Sequence, residues 1–147
     1  MIDLVFKNTT THKLIPLAFL KEVFSSCAES LKMANKQIEL SLNFIDSEEM
    51  RKLNKQYRRK DKVTDVLSFP LDDDKLSKYG IIQLGDIFVC PDFVKKDSED
   101  RGIDFREELI RVCIHGFLHL AGYDHELSQE DEKTMIDMQE KILEELV

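Results

Sequence analysis

The chain has 147 residues, 42% of them hydrophobic and 34% charged, which suits one compact domain over residues 1–147 and leaves too little Gly and Pro for long linkers. No apolar run approaches the roughly 20 residues that span a bilayer, and Met1–Phe6, with an early acid and no long apolar stretch, does not read as a signal peptide. The formal net charge of −8 works against a polyanionic partner at long range, and three widely spaced cysteines, Cys27, Cys90 and Cys113, suit reduced, buried thiols in a cytoplasmic protein.

Ile2–Phe6 predicts a short strand. A helix is expected from Ile15, with Pro16 in its first turn and Leu17, Leu20, Phe24, Cys27 and Leu31 at helical spacing. Ile38–Ile45 alternates apolar and polar residues, the pattern of a half-buried strand. Asp46, with Glu49 three positions on, marks a capped helix running to about Tyr57. Val63–Phe69 is a β-rich run ended by Pro70, and Leu71–Gly80 reads as a loop. Ile81–Cys90 is a second apolar run broken by Gly85-Asp86, where a glycine signals a bulge or a close backbone approach. Pro91 opens a short helix. Asp104 caps a longer one, with Glu107 in the third position, an apolar face of Leu109, Val112, Cys113, Phe117 and Leu120, and Gly122 as its stop. Ser128 with Asp131 repeats the capping box, and Met135, Met138, Ile142 and Leu146 form the stripe of a last helix. Strands come early and helices late, so the expected fold is α+β: a mixed sheet of about four strands covered by about five helices.

Charge is unevenly spread. Arg51, Lys52, Lys55, Arg58, Arg59, Lys60 and Lys62 face the single acid Asp61, while acids gather at Asp72–Asp74, Asp97–Asp100 and the C-terminal segment. Guanidinium groups bind phosphate in bidentate fashion. A solvated helix face explains such a run equally well.

The strongest chemical signal is His115-Gly-Phe-Leu-His119-Leu-Ala-Gly122-Tyr-Asp-His125. Residues four apart share one helix face, so His115 and His119 can aim two imidazoles at one point. Gly122 lets the helix end and the chain return with His125 as a third ligand. Three neutral imidazoles suit Zn2+ and leave a fourth position open, the catalytic rather than the structural pattern; nickel or copper also suit such a set. The spacing matches the long zinc signature of metzincin proteases, which carry a Glu directly after the first His. Here that residue is Gly116, which cannot move a proton, so a peptidase is disfavoured. A metal that keeps its full charge can lower the pKa of bound water towards ~7 and polarise a phosphoryl oxygen.

Other residues carry weaker signals. Thr64, Asp65 and Ser68 read as structural. Asp86 is either an orienting partner for a ligand histidine or an ordinary strand-kink residue. Asp124 and Glu126 flank His125, but adjacency in sequence does not place them on a metal. Cys90 and Cys113 belong to the core, and His12 stands apart.

Three segments together, HGFLHLAGYDH (His115–His125), TDVLSFP (Thr64–Pro70) and LGDI (Leu84–Ile87), preceded by LNKQYRRKDK (Leu53–Lys62), resemble the YbeY family of bacterial ribosomal-RNA maturation nucleases. The resemblance runs in order from about residue 44 to residue 125. It implies a single-domain α+β metalloprotein with one zinc ion on His115, His119 and His125, near the end of a late helix. It implies metal-dependent cleavage of single-stranded RNA, with roles in maturing the 3′ end of small-subunit ribosomal RNA and in ribosome quality control. Arg58, directly after Tyr57, carries over as the functional arginine and joins His115 in catalysis; Arg58, Arg59 and Lys62 are the expected RNA contacts. Expected partners are ribosomal RNA and ribosomal proteins or the small subunit, with no membrane. Two rivals share these features: a non-catalytic, metal-stabilised ribosome assembly factor, and a metal-dependent hydrolase of another substrate class.

Overall fold

Alternating apolar and polar side chains make a strand with one buriable face, and two such runs form early in the chain: β1 (Ile2–Asn8) and β2 (Gln37–Phe44). Ile38, Leu40, Leu42 and Phe44 of β2 are all buried. With β3 (Val66–Pro70) and β4 (Ile81–Val89) they form one mixed sheet in the order β1-β2-β4-β3. The pairs β1–β2 and β2–β4 are parallel, and β3 runs antiparallel to β4. The computed structural model describes residues 1–12, 15–71, 76–123 and 129–147.

Helices follow the expected caps. They are α1 (Leu17–Ser30), α2 (Ser47–Arg58), α3 (Pro91–Arg101), α4 (Phe105–Leu120) and α5 (Gln129–Leu146). Asp46 accepts the Glu49 backbone N–H at 2.9 Å, and Asp104 accepts that of Glu107 at 3.0 Å. Pro91 occupies the first turn of α3, where its missing N–H removes no helix bond. Some boundaries differ from expectation. Pro16 sits just before α1 rather than inside it, and Leu17 is exposed. β3 starts at Val66 rather than Val63 and includes Pro70, which an edge strand tolerates because no partner needs that N–H. Ser77–Tyr79 makes a short 3-10 turn within the expected loop. Ser128, and so the capping box it was expected to form, lies outside the described residues.

α1 and α4 pack on one face of the sheet, α5 lies against both, and α3 lies against α4. Leu42, Ile87 and Val89 from the sheet meet Phe24, Ile114 and Phe117 in this core, where Phe24 stacks on Phe117 at 5.6 Å. A second, smaller cluster gathers Met50 of α2 with Ile45, Leu67 and Cys90. Burial of Glu108 is answered by Arg101 at 2.8 Å and by Arg111, and Arg111 also holds Glu140 at 3.0 Å, so one ionic chain joins α3, α4 and α5. All three cysteines are free and buried. Burial pushes the Cys113 thiol up to about 12, and burial together with neighbouring Cys113 raises that of Cys27 as well. No described helix is long and apolar enough to cross a membrane.

Gly85 is both a bulge and a close approach. Gln83 pairs with Glu39 and Gly85 with Leu40, so Leu84 is the extra residue. Gly85 has φ 134°, and a Cβ there would stand 2.2 Å from the Phe69 carbonyl oxygen. The extra residue lets Leu84 and then Ile87 and Val89 all reach the core, while Asp86 turns to the other face.

Candidate active site

His115 and His119 stand one turn apart on α4, with ring centres 4.5 Å apart and planes at 45°. They line one wall of a cleft of about 330 Å³. The other walls come from Asn54 and Arg58 of α2, from Lys60 and Lys62 just beyond it, and from Thr64 to Ser68, which span the entry to β3 and its first three residues. Helix α4 ends as Gly122 was expected to make it end: with φ 104°, it donates to the His119 carbonyl at 3.1 Å, and Tyr123 donates to that of Leu118.

The basic wall is built by the end of α2. Arg59 takes the left-handed conformation, φ 57°, as the C-cap. Its N–H reaches Lys55 O at 3.2 Å, and that of Lys60 reaches Asn54 O at 3.3 Å. Buried Asn54 then donates through its side chain to Lys62 O at 2.9 Å, folding the segment back over the helix end. Tyr57 leans edge-on against Phe69 at 5.1 Å, which fixes the last turn of the helix. Arg58, Lys60 and Lys62 therefore face the cleft, whereas Arg59 is not among the described residues that line it.

The two readings of the basic run divide along its length. Arg51 holds Asp61 through bonds of 2.6 and 3.2 Å, and Lys52 pairs with Glu48 at 3.3 Å; these are solvated surface pairs. Arg51's hydrogen bond keeps the Asp61 carboxyl below its ordinary range. Among the described residues no carboxylate makes an ion pair with Arg58, Lys60 or Lys62, and these three line the cleft.

Thr64, Asp65 and Ser68 make the structural bonds expected of them and also line the cleft. Asp65 accepts from the Val66 N–H at 2.7 Å and from the Thr64 hydroxyl at 3.3 Å, and the Ser68 hydroxyl donates to Gly116 O at 3.2 Å. Gly116 has a steric reason to be glycine. A Cβ there would lie 2.8 Å from Ile87 Cγ2 and 3.4 Å from Ser68 Oγ, so the helix lies too close to the sheet for a glutamate at this position.

Asp86 does not orient a histidine. It faces away from α4 and accepts from Ser41 Oγ at 2.5 Å. Among the described residues His115 instead meets Gln139 of α5, whose Oε1 lies 2.7 Å from Nδ1. Sequence reasoning passed over Gln139, although its position offered a signal: a polar residue four after Met135 and three before Ile142, inside an apolar stripe. His12 belongs elsewhere, with Asp92 at 2.7 Å and the edge of Phe105.

His125, Asp124 and Glu126 lie outside the described residues. Among the described residues no three His, Cys, Asp or Glu side chains form a metal-holding group. The donors that are described fit a zinc-type ion: two imidazoles on one wall, one with its far nitrogen held by a neighbouring amide, as ligand histidines are held.

Residues 6–147 match the family model described as endoribonuclease YbeY. A protein of that name from Sulfurihydrogenibium is 42% identical over 134 residues, covering 91% of this chain and 86% of the relative. One from Mesoplasma florum is 38% identical over 146 residues, covering 97% and 86%. The solution structure of a Thermotoga maritima protein superposes with a TM-score of 0.63 at 31% identity, covering 98% of this chain and 89% of that one.

Proposed function

The chain belongs to the YbeY family of endoribonucleases, RNA-cleaving hydrolases, and on that premise we propose that it is a zinc-dependent endoribonuclease specific for single strands. Its substrate on this reading is ribosomal RNA, in maturation of the small-subunit 3′ end and in ribosome quality control, with ribosomal proteins or the small subunit as partners in the cytoplasm. The observation that carries the reading is the cleft itself, which sets Arg58, Lys60 and Lys62 across from His115 and His119. A volume of about 330 Å³ is on the scale of a small ligand, which suits a single strand threaded past the histidines more than a duplex.

Each residue then has a task. The Arg58 fork matches two oxygens of a backbone phosphate, and Lys60 and Lys62 add point charges that hold the strand along the wall. The net charge of −8 makes this local patch, rather than the whole molecule, the source of RNA affinity. His115, His119 and His125 would hold the zinc ion. When bound, zinc supplies Lewis acidity that draws charge from a phosphoryl oxygen. Charge stabilisation and positioning dominate phosphoryl transfer, which accommodates a glycine where a protease has its base.

The test is cleavage of a labelled single-stranded RNA by wild type, His115→Ala and Arg58→Ala, each purified free of contaminating nuclease. Loss of cleavage in both variants is expected. Equal cleavage by all three would sink the assignment.

A further inference from the structure

We propose that Arg111, Glu140 and Gln139 act as a positioning relay that puts the proton of neutral His115 on Nδ1, making Nε2 the nitrogen His115 offers to a metal. This rests on the reading of His115 as a ligand. An amide's two ends are alike in shape, and only their partners tell them apart. Arg111 Nε lies 3.2 and 3.0 Å from the two Glu140 oxygens. Burial raises the Glu140 carboxyl, but the bonds from Arg111 and Gln139 outweigh it and hold the group below its ordinary range. A carboxylate can only accept. The contact between Gln139 Nε2 and Glu140 at 3.2 Å therefore fixes the NH2 end of the amide on Glu140.

The carbonyl end of Gln139 must then face His115, where it lies 2.7 Å from Nδ1. A carbonyl also only accepts, so Nδ1 carries the hydrogen. Neutral imidazole has one N–H, so the lone pair falls on Nε2. Gln139 is 8% exposed, which keeps water from replacing the bond. The anchor is stiff, because Arg111 is also bound by Glu108 on its own helix. Secure orientation of a ligand histidine typically changes metal affinity by about 10–100-fold.

The experiment uses the full chain. Long-range 1H–15N NMR at alkaline pH, without metal, reads the His115 tautomer, assigned by the signal lost in His115→Ala. Zinc affinity is measured separately by competition with a chromogenic chelator. Wild type should show the Nδ1–H form. Gln139→Leu, which suits the apolar stripe, should shift His115 towards Nε2–H and weaken zinc by about 10–100-fold. Gln139→Glu, which keeps an acceptor towards His115 but loses the donor to Glu140, should keep the Nδ1–H form. Glu140→Gln, at the more exposed end, removes the acceptor-only partner and should give mixed tautomers even if Gln139→Leu fails to fold. An unchanged Nδ1–H form in both Gln139→Leu and Glu140→Gln, or in Glu140→Gln alone where the leucine variant does not fold, overturns the relay. If instead His115→Ala leaves zinc affinity intact, the ligand reading fails, and the tautomer shifts still decide the relay.

Discussion

Replacing Gly116 by alanine sets helix propensity against packing. In an open helix interior the change stabilises by about 1 kcal/mol. Here the new methyl would stand 2.8 Å from Ile87 Cγ2 and 3.3 Å from its Cδ1. Ile87 is 0% exposed, so it can move only by displacing the core around it. Overpacking of this kind costs ~1–3 kcal/mol, and the two effects together leave a net destabilisation of about 1 kcal/mol. Ile87→Ala removes both contacting atoms and itself costs ~2–5 kcal/mol. In that background Gly116→Ala should reverse sign and stabilise by about 1 kcal/mol, a coupling of about 2 kcal/mol. Urea denaturation of the four proteins, followed by far-UV circular dichroism with a common m-value, measures this cycle. Equal stabilisation by alanine in both backgrounds would refute the close packing of α4 on β4. Gly116→Glu should be less stable than Gly116→Ala, since more of the side chain must be accommodated against the sheet.

Gly85→Ala meets a backbone carbonyl at 2.2 Å and a φ of 134°; strain and overpacking together predict a loss of roughly 3–5 kcal/mol, visible as a large fall in melting temperature. The thiols of Cys27 and Cys113 should resist alkylation until the chain unfolds. Their raised values favour the folded state fully below pH 9.0, and that contribution is lost as pH rises from 9.0 through about 12 for Cys113. Stability should therefore fall more steeply above pH 9 in wild type than in Cys27→Ala/Cys113→Ala, and identical slopes in denaturation series would contradict this. Arg58→Ala should reduce the slope of log binding constant against log salt for single-stranded RNA by about 0.7–1, whereas Lys52→Ala, already paired with Glu48, should leave it unchanged. Filter binding across a salt series distinguishes the two.

Local signals are legible in the sequence because each is complete within a few residues. Asp46 with Glu49, Asp104 with Glu107, and the alternation of Ile38 to Phe44 each determine a bond or a face without help from the rest of the chain. The pairing of His115 and His119 is likewise a property of one helix. Other features stay open where register or distant packing decides. Asp86 lies beside a bulge whose existence was legible, but its face depends on pairing with β2, and that pairing carries it to Ser41. Gln139 reaches His115 from 24 residues away, which only the packing of α5 on α4 arranges. The division of the basic run was hidden for the same reason: the turn held by Asn54 and Arg59, not composition, decides that Lys60 and Lys62 face the histidines.

Helix α4 touches β3, β4, α1, α3 and α5, and ten of its sixteen residues are buried. An element so enclosed opens only when the whole domain opens, so its amides should exchange with deuterium at the rate of global unfolding. His115 and His119 therefore belong to the slowest-exchanging part of the molecule, while the basic segment after α2 belongs to its surface. An ion held by that helix would be linked to the folding equilibrium of the entire chain. Loading it would protect amides far from the cleft, in strands that never touch the ion, whereas RNA resting on the outer wall would leave those distant amides almost unmoved.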